Sequence, residues 1–129
     1  MVAVDTNILI RLLVHDDPVQ AGASRRLFAA EDVFIPDTVL LETEWVLRAA
    51  FDLGAPDVCH ALRTVCGLPN VSLSDGQLVA RVIDWHEAGL DFADAFHLAL
   101  SQSQEAMKTF DADFIKSARK YTDRRVEKP

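Results

Sequence analysis

The first ten residues, Met1-Val-Ala-Val-Asp-Thr-Asn-Ile-Leu-Ile10, limit what this chain can fold into more than any other stretch. Val2, Ala3 and Val4 form a short apolar run that ends in a carboxylate, Asp5, and a second apolar run follows two small polar residues later. A buried strand that delivers an acid at its carboxyl end, just ahead of a helix, has this pattern. Thr6 or Asn7 is placed to cap the helix. Ligands bind at the carboxyl ends of strands in open α/β sheets, so Asp5 is a site candidate by position alone.

The remaining chain repeats this alternation. A helix is expected from Pro18, capped by Asp17, to about Ala30, and Val33-Phe34-Ile35 reads as a strand. Asp37 or Thr38 is placed to cap a helix over 39–52 that stops at Gly54, and another begins at Ala55-Pro56-Asp57. Val71-Ser72-Leu73 is a third strand. Ser74 and Asp75 cap a helix that ends at Gly89, and Asp91 opens one reaching about Gln104. A strand over 106–110, a helix over 113–121 and a weak edge strand at Arg125-Val126 complete the order. Short strands alternating with longer helices indicate βαβ units, and therefore an α/β fold with a central, mostly parallel sheet of 4–5 short strands flanked by helices. With no linker, repeat or low-complexity segment, residues 1–129 are expected to form a single domain.

No apolar run approaches the roughly 18 residues of a membrane span, and no charged segment leads into a long apolar one, so a cytoplasmic location is expected. Cys59 and Cys66 lack the paired spacing of a zinc site and read as reduced structural thiols. The net charge of −7 argues at first sight against a nucleic-acid partner. Its distribution reverses that: from Lys108 to Lys128 seven Lys/Arg face four acids, a net of +3, which leaves −10 on residues 1–107. Lys108, Lys116, Arg119 and Lys120 suit an RNA backbone, with a solvated basic tail as the alternative.

Several acids stand where pattern does not require them. Glu42 lies between Leu41 and Trp45 on an amphipathic helix. From the pattern alone both it and Glu44 read as that helix's wet side, with metal ligation the other reading for Glu42. Asp94 opens the nearly all-apolar segment 92–100, with Asp91 one turn earlier, and the two are caps or ligands. His97 reads as a hydrogen-bonded core residue. Asp111 and Asp113 follow an apolar strand as Asp5 does, and Asp113 is the better placed of the two to cap the next helix. Thr6 and Thr109 are short hydroxyl side chains at two strand ends and are suited to orient a carboxylate. Acids brought together repel and call for a hard cation, and oxygen-only ligands favour Mg²⁺ or Mn²⁺ over zinc.

Val4-Asp5-Thr6-Asn7-Ile8-Leu9, Leu41-Glu42-Thr43-Glu44-Trp45-Val46-Leu47, Asp91-Phe92-Ala93-Asp94-Ala95 and Thr109-Phe110-Asp111-Ala112-Asp113-Phe114 resemble, in order, the four acidic motifs of the PIN-domain family, most closely VapC-type toxins of toxin–antitoxin pairs. The resemblance runs from residue 2 to about 120. It implies a metal-dependent endoribonuclease holding Mg²⁺ or Mn²⁺, inhibited by a VapB-type antitoxin and commonly a homodimer. Asp5, Glu42, Asp94 and Asp111 match the catalytic, metal-holding acids, and Asp113 is an alternative fourth ligand. Thr6, Asn7, Asp91 and Thr109 fall at supporting positions. Two other readings compete with this one. A haloacid-dehalogenase-like phosphatase would use Asp5 as nucleophile, although Thr6-Asn7 lacks the second Asp of that motif. A PIN-like module could instead bind RNA or protein without cleaving. Leu9, Leu12, Leu13 and Phe28, or Trp45 and Phe51, are expected to supply a dimer or antitoxin surface.

Overall fold

Five strands of two residues each alternate with seven helices, all described over residues 1–129 by a computed structural model. The chain divides into two units, Met1–Gly76 and Gln77–Pro129.

The first unit runs β1 (Val2–Ala3), α1 (Thr6–Leu13), α2 (Pro18–Ala30), β2 (Val33–Phe34), α3 (Asp37–Ala49), α4 (Ala55–Cys66) and β3 (Val71–Ser72). Its strands form a parallel sheet in the order β1-β2-β3, with Val2 opposite Val33 and Val33 opposite Val71. Each crossover is a helix pair, as parallel neighbours require. Leu9, Val33, Ile35, Leu40, Leu47, Cys59 and Leu62 are fully buried and form this unit's core. Asn70 closes the end of α2, its amide donating to the carbonyls of Phe28 (2.6 Å) and Glu31 (2.7 Å).

The second unit contains α5 (Gly76–Ala88), whose first residue lies at the boundary, then α6 (Phe92–Leu100), β4 (Met107–Lys108), α7 (Ala112–Tyr121) and β5 (Val126–Glu127). Strands β4 and β5 pair in parallel, Met107 opposite Val126. Phe92 sits edge-on to His86 (5.2 Å) and to Phe96 (5.4 Å) within a core that includes Val82, Leu90 and Leu98. The Arg124 guanidinium caps α6 by donating to the carbonyls of Leu98 (3.0 Å) and Ser101 (2.8 Å). No helix is long and apolar enough to cross a membrane.

The α/β class and the parallel strands are as the sequence implies, but the ladders form as three strands plus two. Several local expectations are corrected. Asp5 itself caps α1, accepting from the Ile8 amide (3.2 Å), so neither Thr6 nor Asn7 is the cap. Helix α3 begins at Asp37 behind Pro36, which offers no side-chain cap. It ends at Ala49 because Asp52 takes the left-handed turn (φ 55°) that the sequence suggests for Gly54, and the Leu53 amide reaches back to the Leu47 carbonyl (3.1 Å). Gly54, at φ −77°, instead precedes α4. Helix α6 stops at Leu100, short of Gln104. His97 is exposed, and the buried histidine is His86, whose Nδ1 lies 2.8 Å from the Leu90 carbonyl. Leu9 and Phe28 belong to the core and cannot serve a partner surface, whereas Trp45 stays 59% exposed. Both cysteines are free thiols, and burial pushes Cys66 up to about 11.

Candidate metal-binding acids

In the first unit the acids stand around the start of α1. The short strand β1 ends at Ala3, Val4 is buried, and Asp5 emerges exposed at the carboxyl end. Its Oδ1 holds the first turn of α1 through Ile8. Thr6, 8% exposed, donates its hydroxyl to Oε1 of Glu42 on α3. Glu42 is thus tied to the residue next to Asp5, as a supporting hydroxyl at a strand end would do. Asn7 is exposed and lines a surface groove with Asp5, Arg11 and Gln20.

Glu42 is exposed, as the wet-side reading has it, whereas Glu44 departs from that reading and is buried, at 3% exposure. Arg48, one turn on, donates to Glu44 at 2.9 Å. A buried carboxylate needs such a partner, and the pair accounts for Glu44 without a ligand role. The structure also draws attention to Asp37, which begins α3 just beyond β2. Burial, and then the charge of Asp75 beyond β3, raise its titration, and its Oδ1 is buried without a hydrogen-bond partner. The position of Asp37 after a strand was the sequence signal available for it, and the capping reading obscured that signal.

In the second unit the charges of Asp91 and Asp111 act on Asp94. Asp91 caps α6 by accepting from the Asp94 amide (3.0 Å). Asp94, half-buried in the first turn, is raised to about 6, first by burial and then by the charges of Asp91 and Asp111, with His97 opposing. Asp111 caps α7, its Oδ1 accepting from the amides of Asp113 (2.9 Å) and Phe114 (3.1 Å). Asp113, expected to be that cap, lies exposed inside the first turn. The Thr109 hydroxyl accepts from the Asp111 amide (3.0 Å) and so sets the bend between β4 and α7.

No three Asp, Glu, His or Cys side chains stand in a ready metal-holding group. The chemistry of the donors nonetheless suits a hard divalent ion. The caps at Asp5, Asp91 and Asp111 each use Oδ1 alone. Asp94 is destabilised as an anion first by burial and then by its acidic neighbours, which is the condition a cation relieves.

The PIN domain family model matches residues 2–120, and the chain belongs to the PIN domain family. Among solved structures it is similar to the crystal structure of Mycobacterium tuberculosis VapC20, described as a Sarcin-Ricin loop cleaving toxin. The two are 23% identical over 97% of this chain and 99% of that one, with a TM-score of 0.45. A search of curated protein sequences gives no match.

Proposed function

We propose that this chain is a divalent-metal-dependent endoribonuclease, the VapC-type toxin of a toxin–antitoxin pair, with residues 1–129 acting as one PIN domain. Support for the single domain comes from the family match, which runs across the boundary at Gly76. The observation that carries the function is Asp94: a PIN-family acid at the head of an apolar helix, raised to about 6 by burial and by Asp91 and Asp111. A structural cap gains nothing from that repulsion, whereas a cation ligand does.

Asp5, Glu42, Asp94 and Asp111 hold Mg²⁺ or Mn²⁺, with Asp113 as a further ligand. A bound divalent ion would act as a Lewis acid at the scissile phosphate and make a nearby water more acidic. Thr6 orients Glu42 through its hydroxyl. Thr109 and the α7 cap fix Asp111, and Asp91 fixes the first turn that carries Asp94. Asn7 supports Asp5 from the next position. Lys116, Arg119 and Lys120, exposed on α7, follow the RNA phosphates. A VapB-type antitoxin silences the toxin, which acts as a homodimer in the cytoplasm. Incubating Asp5→Asn protein with structured RNA and Mg²⁺ tests the site. Loss of cleavage is expected, and cleavage at the wild-type rate removes Asp5 from the proposed ligands.

A further inference from the structure

Phe110 is the most exposed large apolar side chain in the chain, at 82%. A phenylalanine left in water forgoes the stabilisation that burial would give it. Trp45, 59% exposed, stands one turn after Glu42 on α3, and every other Phe, Trp and Tyr is buried or half-buried. Of the two rings left in water, Phe110 directly precedes Asp111 and Trp45 follows Glu42 by three residues.

The backbone around Phe110 is fixed on both sides. The Thr109 amide donates to the Glu127 carbonyl (3.0 Å), and the Asp111 amide donates to the Thr109 hydroxyl (3.0 Å). Asp111 then anchors α7. The backbone that carries the ring is thus ordered in advance, and stacking on it costs only the ring's own side-chain freedom. Its sequence neighbours are polar or small: Lys108, Thr109, Asp111, Ala112 and Asp113. Protein docking calls for a contiguous apolar patch of several hundred Å². A nucleobase needs one free ring face and a neighbouring cation, and Lys116 is exposed nearby in the chain, while Lys108 is ion-paired with Glu127 (3.1 Å).

We propose that Phe110 is a stacking platform for an unpaired RNA base beside the linkage that is cleaved. The inference rests on the ribonuclease reading and adds a substrate contact to it: the RNA is engaged single-stranded, with one base held against the Phe110 ring.

The test compares full-length wild type with Phe110→Ala, Phe110→Leu and Phe110→Trp. The probe is an unstructured RNA oligonucleotide carrying a single 2-aminopurine, its binding followed by fluorescence in Ca²⁺ and its cleavage in Mg²⁺. Wild type should quench the probe. Phe110→Ala and Phe110→Leu should lose the quenching and raise KM about tenfold, within the range of one base–aromatic stack, with kcat nearly unchanged. Phe110→Trp should restore both. If wild type cleaves and Phe110→Ala or Phe110→Leu matches it in KM and quenching, the stacking role is wrong and the ribonuclease reading stands. If the variants cleave normally but lose self-association on a sizing column, Phe110 belongs to a protein contact and the inference is again overturned. If wild type neither quenches nor cleaves, the ribonuclease reading fails and the inference fails with it. Circular dichroism melts of the variants, expected to match wild type because the ring is exposed, separate these outcomes from misfolding.

Discussion

Thr6 donates its hydroxyl to the carboxylate of Glu42, which joins the first turn of α1 to the middle of α3. Thr6 is buried and Glu42 exposed, so the bond holds a solvent-facing acid from a fixed point in the core. Such supporting groups are worth roughly 10–100-fold in metal affinity or activity. Thr6→Val keeps the shape and removes the donor. It should lower RNA cleavage or raise the Mg²⁺ requirement by about that factor, with little change in Tm because Glu42 is left in water. Thr6→Ser should retain activity. A Mg²⁺ titration of cleavage decides, and Thr6→Val behaving as wild type would show the bond to be incidental.

Asp94 should make the metal-free protein less stable as pH rises. Its folded-state value of about 6 stands above the ordinary 3.8, so the native form binds its proton more tightly than the unfolded chain. That contribution is complete below about pH 4 and is lost as pH climbs through about 6. Asp94→Asn removes the dependence. In chelator the variant should melt above wild type at about pH 7.5 and level with it at about pH 4, while its cleavage activity disappears. Equal melting of the two proteins at the higher pH would mean that neither burial nor the neighbouring acids penalise the Asp94 anion.

How much of this was legible in the sequence depends on how local each feature is. Strand ends such as Val4-Asp5 and the Asp17-Pro18 helix start are set by adjacent residues and appear where the pattern puts them. The α3 face is different. Its buried stripe is Leu40, Thr43, Glu44 and Leu47, regular helical spacing with two polar members, so hydropathy placed Glu44 with Glu42 on the wet side although only Glu42 is there. His97 was misjudged for a related reason, since α6 is apolar enough to seem buried all round although it keeps one exposed side. Choosing Asp111 over Asp113 as a cap needed the helix start to within a residue, which spacing does not give. The effect of burial and of Asp91 and Asp111 on Asp94 depends on packing and on distances between side chains, and the sequence could suggest but not supply it.

Asp111 is the α7 cap in the structure and a metal ligand in the proposed reading, and substitution separates the two. As the α7 cap it accepts two amides, which Asn can also do. Asp111→Asn should therefore keep Tm close to wild type and lose cleavage, because the charge is gone. Asp111→Ala should lose cleavage and also about 1 kcal/mol of stability. Asp113→Asn, at an exposed position with no capping role, should cost little stability and reduce cleavage less than Asp111→Asn. Denaturant melts paired with cleavage assays read both roles, and Asp111→Asn retaining full activity would reduce Asp111 to a cap.

Gly89 governs the approach to the Asp91–Asp94 turn. At φ +138° it adopts a conformation that side chains disfavour, and an added Cβ would lie 2.7 Å from the Tyr121 hydroxyl and 2.8 Å from its ring. Gly89→Ala should thus destabilise the protein on the order of 3 kcal/mol, part from backbone strain and part from the overlap. The overlap belongs to Tyr121, so Gly89→Ala should cost less in a Tyr121→Ala background, while the strain persists in both. A double-mutant cycle from urea melts separates the two contributions. A cost that is the same in both backgrounds would clear Tyr121 and leave the backbone alone responsible. Because Gly89 stands two residues before Asp91, the strained variant should also lose more cleavage activity than stability alone accounts for when assayed well below its Tm.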